Sequence, residues 1–188
     1  MQYKYIENTC INYTGEQLRS HWIYEKFDIL GDAIVAFTGK CDVSCDHMVD
    51  LEDVKNNDFI YSEKMLHFII EHFQLSLEEI VLRQRLFICI IQDSLNEILR
   101  ENIVVRNGND LYYKEAKLSV SIATISPVSG LVHVGINIDS KNTPVKAAGL
   151  LSEMNVENIK DLAIQLVKRY TNEHQQIKKS IYKVKPVN

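Results

Sequence analysis

No stretch of this 188-residue chain approaches the roughly 20 consecutive apolar residues that a membrane-crossing helix needs, which argues against a spanning protein. Met1 to Ile6 mixes polar and aromatic residues without an apolar core, so no export signal is read there and a soluble, cytoplasmic protein is expected. Cysteine is scarce. Cys10, Cys41, Cys45 and Cys89, in a chain read as unexported, predict reduced thiols rather than a disulfide framework. Positive charge is not in excess either: 21 Lys and Arg against 25 Asp and Glu leave a net charge of -4, which repels a polyanion and argues against general nucleic-acid binding. Internal repeats and low-complexity linkers are absent as well. What remains, 46% hydrophobic residues, suits one domain over residues 1–188 with one sizeable core.

The stretch from Arg106 to Ile138 carries the clearest pattern. An apolar run, Ile103 to Val105, is followed by Asn107-Gly108-Asn109-Asp110, residue types that tolerate left-handed backbone or bond to their own chain, so a strand pair is expected across that turn. Leu118, Val120, Ile122 and Thr124 then alternate with Ser119, Ser121 and Ala123. Beyond the turn signal at Pro127 to Gly130 come Leu131, Val132, Val134, Ile136 and Ile138, which predicts a hairpin. Lys117 places a cation at the start of this hairpin, and Gly135 lacks a side chain where a ligand could approach the backbone. His133, two residues earlier, is read first as a packed histidine and second as a pocket residue.

Elsewhere the pattern predicts a short strand at Tyr3 to Ile6, a helix over Gly15 to Phe27 from the spacing of Leu18, Trp22, Ile23 and Phe27, and a buried strand at Ala33 to Phe37. Thr38 to Asp58 reads as a polar loop, long enough to be a candidate for ligand capture. Lys64 to Phe73 is a core strand in which His67 and His72 are read as structural. Ser76 followed by Glu79 is a capping-box signature opening a long apolar-striped helix, expected to be the longest, in which Leu95→Ala and Ile98→Ala should each cost roughly 2–5 kcal/mol if fully buried. Pro144 suggests a short helix from Val145 to Met154, and Asn155 or Asn158 can cap an amphipathic helix carrying Ile159, Leu162, Leu166 and Tyr170. Lys178 to Asn188 reads as a solvated basic tail rather than an RNA contact.

In order, these pieces resemble the catalytic domain of biotin protein ligases and lipoate ligases. The correspondence runs through Ala33 to Asp42, Leu66 to Phe73, Ser76 to Glu101, Asn109-Asp110, Lys117-Leu118 and Gly135-Ile136-Asn137. More narrowly, G-D-A-I-V-A-F-T-G-K-C-D-V at Gly31 to Val43, with M-V-D-L-E-D at Met48 to Asp53, looks like the prokaryotic family known as domain of unknown function 366. The resemblance implies an α+β fold: a mixed, mostly antiparallel sheet with helices mainly on one face, of the biotin/lipoate ligase (class II synthetase-like) type. It also implies ATP-dependent activation of a carboxylic acid, with Mg2+ as companion ion and a lysine of an acceptor protein as the acyl recipient. A homodimer is left open. Under that resemblance Lys117 is the central cation. Asn109 and Asp110 lie beside the adenylate, Gly135 and Asn137 line the pocket, and Arg106 stands where the ligases carry another lysine. Gly39-Lys40-Cys41-Asp42 takes the place of the glycine-rich basic loop, keeping one glycine and one cation and adding an acid. The resemblance is to the catalytic domain alone, without a DNA-binding or cap domain, so no role in transcription is expected.

Three other constellations compete. Cys41, Cys45 and His47 could give zinc three ligands with Asp42, Asp46 or Asp50 as a fourth, although no second pair follows at finger spacing. Cys41 beside Lys40 could be a thiolate nucleophile of an acyltransferase, against which the neighbouring aspartates would raise its pKa. The acidic run Asp42, Asp46, Asp50, Glu52, Asp53 and Asp58 could hold magnesium, or simply be solvated. The function classes left are an acid-activating enzyme over Lys117, a non-catalytic small-molecule binder using the same cleft, and an enzyme working through the Cys41–Asp53 loop.

Overall fold

Apolar residues on both sides of one strand decide the architecture. In the computed structural model, which describes residues 1–56 and 59–187, Met65 to His72 are all buried, so the strand containing them reads as a run rather than an alternation and must be central. That strand is β3 (Ile60–Phe73). Around it lie β1 (Gln2–Cys10), β2 (Ala33–Val43), β7 (Ser119–Ile125) and β8 (Ser129–Asn137), in the order β1-β2-β3-β8-β7. The β1–β2 pair is parallel and the other three pairs are antiparallel. A second, three-stranded sheet joins β4 (Val104–Asn107), β5 (Asp110–Tyr113) and β6 (Ala116–Lys117). The fold is therefore α+β with a mixed, mostly antiparallel sheet.

The helices are α1 (Trp22–Phe27), α2 (Leu51–Asn56), α3 (Leu77–Leu99) and α4 (Ile159–Lys183). Strand alternation sends Leu66, Phe68 and Ile70 with Val132, Val134 and Ile136 to one face, where they pack under Phe87, Ile91 and Leu95 of α3 and Leu166 and Tyr170 of α4. The other face carries Val35, Phe37, Met65 and Ile69 under Tyr13, Trp22 and Ile23. The two long helices thus share one face of the sheet, and the opposite face is left for a site. Among the described residues no helix is long and apolar enough to cross a membrane.

Local signals explain why α3 starts and stops where it does. The Ser76 hydroxyl accepts from the Glu79 amide at 3.3 Å while the Glu79 carboxylate accepts from the Ser76 amide at 2.7 Å, and Arg100 ends the helix in the left-handed conformation. Leu95 is fully buried, but Ile98 is 42% exposed, which corrects the expectation that both hold the core. α3 is also not the longest helix: α4 spans 25 residues against 23. The lysine-rich stretch is helical to Lys183 because straight-chain residues lose little rotamer freedom in a helix and no breaker occurs before Pro186. Asn158, not Asn155, provides the cap, its side chain accepting from the Asp161 amide at 3.1 Å.

Three other expectations are corrected. Only Trp22–Phe27 of the predicted Gly15 to Phe27 helix forms, because Gly15 at φ +93° and His21 at φ 62° turn the chain instead. The polar loop is shorter than expected, since Thr38 to Val43 continue β2 against β3. After it come a 3-10 turn at Cys45–His47 and then α2, while Asp58 lies outside the described residues. Val145 to Met154 forms no helix. Its backbone is taken up elsewhere: the Lys117 amide donates to Lys146 O at 3.0 Å, the Ala148 amide to Lys117 O at 2.9 Å and the Leu150 amide to Asn137 O at 2.8 Å. Those bonds draw the Pro144 segment across Lys117.

Candidate functional site

β7 and β8 form the floor of a cavity of about 530 Å³ on the sheet face opposite α3 and α4. The register pairs Val120 with Gly135 and Ile122 with His133, so these side chains share one face, and Val120, Ile122 and Met65 make the floor apolar. One wall comes from the segments around His47 to Asp53 and Phe59 to Ser62. The facing wall is the Thr143 to Ala147 crossing. Cys41 lies deep in the core beneath Tyr13, where burial pushes its thiol up to about 12, and Cys45 and His47 are exposed on the 3-10 turn. Among the described residues these three do not gather into a metal-holding group, and burial leaves Cys41 a thiol rather than a nucleophile.

Lys117 reaches the cavity beside Asp110, with Nζ to Oδ2 at 2.9 Å and both side chains partly open to solvent, 32% and 21%. The β5–β6 hairpin fixes this pair, because Tyr112 opposes Lys117 and the Asn107-to-Asp110 turn starts β5. Asn137 also lines the cavity; its side-chain amide donates to the carbonyls of Ala148 at 3.2 Å and Lys117 at 3.4 Å, pinning the crossing segment. Asn109 is similarly committed, donating to Ser121 O at 2.9 Å and accepting from Ser121 Oγ at its backbone carbonyl, also at 2.9 Å. Lys117 is the one lysine or arginine among the described residues lining the cavity, which it shares with Asp50, Asp53 and Asp110.

Behind the floor runs a buried polar chain. Tyr13 stacks on His133 with ring centroids 3.6 Å apart, His133 Nε2 lies 3.1 Å from His67 Nδ1, and His67 Nε2 lies 3.3 Å from the Gly39 carbonyl. A carbonyl only accepts, which assigns the His67 proton to Nε2. His67 Nδ1 then accepts from His133 Nε2, leaving His133 Nδ1 as a lone-pair acceptor. Burial holds His67 down at about 4 and His133 well below the usual histidine range, so both rings stay neutral. Sequence reasoning missed Tyr13, since its place depends on a backbone bridge to Cys41 that no local pattern announces.

Four residues singled out from the sequence stand elsewhere. A Cβ on Gly39 would lie 1.9 Å from the Ile11 carbonyl oxygen, so that glycine lets the Ile11–Asn12 chain cross β2. A Cβ on Gly135 would meet Met65 Cε at 2.9 Å, so Met65 fills the space expected for a ligand. Lys40 pairs with Asp42 at 2.7 Å and lies over the Tyr61 ring at 4.7 Å, and Arg106 donates to the Gly108 carbonyl at 2.7 Å on the exposed edge. Gly39 is therefore closed by backbone on its Cβ side, and the Lys40 ammonium sits in an exposed pair with Asp42.

A model of the family "domain of unknown function" (DUF366) matches residues 1–185. The chain belongs to that family. An uncharacterized protein of Methanocaldococcus jannaschii is 35% identical over 184 residues, covering 94% of this chain and 81% of the relative. A solved protein of unknown function from Pyrococcus horikoshi superposes with a TM-score of 0.92 at 33% identity, over the whole of both chains. Biotin protein ligase from Aquifex aeolicus, solved with biotin and ATP, is similar at a TM-score of 0.59 and 16% identity, over 95% of this chain and 71% of that one. A putative lipoate protein ligase from T. acidophilum, solved with lipoic acid, reaches a TM-score of 0.52 at 16% identity, over 82% and 77%. The fold is that of biotin and lipoate ligases.

Proposed function

We propose that the cavity binds a small molecule with a carboxylate at one end and an apolar body. Its carboxylate lies against Lys117, and the body lies over Val120, Ile122 and Met65. The observation that carries this reading is a single ammonium held at the edge of an apolar-floored cavity. Asp110 orients Lys117 Nζ with one bond and leaves the remaining N–H groups to a ligand, and such charge-assisted bonds are the strong ones. The solved ligases that share this fold were crystallised with biotin, lipoic acid and ATP, which supports a small carboxylic acid as the ligand class.

A second reading is that the bound acid is also activated with ATP and passed to a lysine of an acceptor protein, as in biotin and lipoate ligases. Asp50 and Asp53 border the cavity and are the side chains that would hold magnesium there. The Ile11 backbone packed on Gly39 gives this second reading less support than simple binding. Calorimetric titration with biotin, lipoate and octanoate, followed by acid-dependent exchange of pyrophosphate into ATP, separates them. Saturable binding lost in Lys117→Met without exchange supports the binder; exchange lost in the same variant supports the enzyme. Binding that is unchanged in Lys117→Met defeats both.

A further inference from the structure

We propose that Asp32, His72 and His174 form a site for one divalent transition-metal ion of the zinc class, which ties α4 to the sheet. The three come from separate elements: Asp32 precedes β2, His72 lies near the end of β3, and His174 is on α4. Asp32 Oδ2 is 3.5 Å from both His72 Nδ1 and His174 Nε2, and one ligand atom from each residue fits within 4.8 Å of the others. Bonds of about 2.0–2.2 Å in a tetrahedral zinc site place ligand atoms roughly 3.3–3.6 Å apart, which two of these three edges match.

A second observation is independent of that spacing. The His72 and His174 side chains are 0% and 3% exposed, yet His72 Nδ1 and both nitrogens of His174 have no hydrogen-bond partner. A buried imidazole nitrogen without a partner is costly, and a group that accepts one lone pair from each ring, at His72 Nδ1 and His174 Nε2, would satisfy two of the three. The surroundings orient them for it. Tyr170 OH lies 2.8 Å from His72 Nε2, and with the phenol oxygen accepting there, His72 Nδ1 presents its lone pair to the cluster. The Phe73 amide donates to Asp32 Oδ1 at 2.9 Å, leaving Oδ2 for the ion.

Lys178, half exposed, faces the cluster with Nζ 3.9 Å from Asp32 Oδ2, and Arg83 also acts on His174. As the ion takes over Asp32, the long Lys178 side chain swings to solvent. Two imidazoles and one carboxylate with a fourth position for water suit zinc better than magnesium or calcium, which take mostly oxygen. His72 follows Phe68 and Ile70 by even steps, so the ion sits on the helix face, away from the cavity. Its effect is on the packing of α4 rather than on ligand chemistry.

The test uses tag-free full-length protein stripped with chelator and titrated with zinc against a chromophoric competitor. One equivalent is expected, with a raised melting temperature. The equivalent should be lost in His174→Gln, weakened about 10- to 100-fold in Tyr170→Phe and tightened in Lys178→Gln. It should be retained in Cys45→Ser with His47→Gln. The latter three leave the ligands intact, so they keep the test decisive should His174→Gln fail to fold. Less than a tenth of an equivalent in the native protein, or loss in the Cys45/His47 variant with retention in His174→Gln, overturns the proposal.

Discussion

Gly39→Ala separates two accounts of one residue. If Gly39 serves the crossing of chains, the added Cβ lands 1.9 Å from the Ile11 carbonyl oxygen and 2.6 Å from its carbon, where ordinary contact begins at 3.4 Å. The difference, 3.4 - 1.9 = 1.5 Å, must be found by moving Ile11–Asn12 off β2. Three backbone-to-backbone hydrogen bonds hold that segment on β2: Ile11 N to Thr38 O at 3.1 Å, Tyr13 N to Lys40 O at 2.8 Å and Asp42 N to Tyr13 O at 2.9 Å. None survives a displacement of that size, and at about 1 kcal/mol each the loss is about 3 kcal/mol, before any loosening of Tyr13 over Cys41. For a domain of this length that corresponds to a fall of roughly 6–12 °C in melting temperature. Thermal melts followed by circular dichroism, with binding of ATP measured in parallel, decide the matter. A variant that melts within about 2 °C of the native protein but loses nucleotide affinity would mean that the glycine faces a phosphate, and the steric argument would fail.

Other perturbations follow from the same contacts. Lys117→Met should leave stability within about 1 kcal/mol, because the pair with Asp110 is partly exposed, while weakening carboxylic-acid binding by more than about tenfold; melts and calorimetry read the two effects separately. His67 is held neutral at about 4 in the folded protein against about 6.5 unfolded, so its contribution is present above pH 6.5 and lost as pH falls toward 4. Urea unfolding at pH 7.5 and 4.5 should show a loss of about 2–3 kcal/mol from this ring, and His67→Gln should flatten that slope; an unaltered slope contradicts the assignment. Leu95→Ala should cost about 2–5 kcal/mol and Ile98→Ala less than about 1, since the first is fully buried and the second is 42% exposed; equal costs would contradict the packing described.

What the sequence disclosed follows how local its signals are. Ser76 and Glu79 announce the start of α3 because both halves of the capping box lie within four residues. The Asn107–Asp110 and Pro127–Gly130 turn signals likewise carry their own chemistry, so both hairpins were legible; that Lys117, Asp110 and Asn137 share a site was implied only by the family resemblance, and His133 was read first as packed. Gly39 and Gly135 were visible as glycines, but what each makes room for, Ile11 backbone or Met65, lies far off in sequence. The Val145–Met154 segment was misread for the same reason. Pro144 looks like a helix start until the carbonyls of Lys117 and Asn137 are near enough to bond that backbone. His72 and His174 were separable from other histidines only once β3 and α4 were packed together.

The central claim is that a carboxylate sits against Lys117 above an apolar floor. A crystal structure of the protein soaked with lipoate or octanoate tests it most directly. The account predicts a carboxylate oxygen within hydrogen-bonding distance, about 3 Å, of Lys117 Nζ, with the chain lying over Val120 and Ile122. A ligand bound with its carboxylate at Lys40 or Arg106, or filling the cavity without touching Lys117, would contradict it.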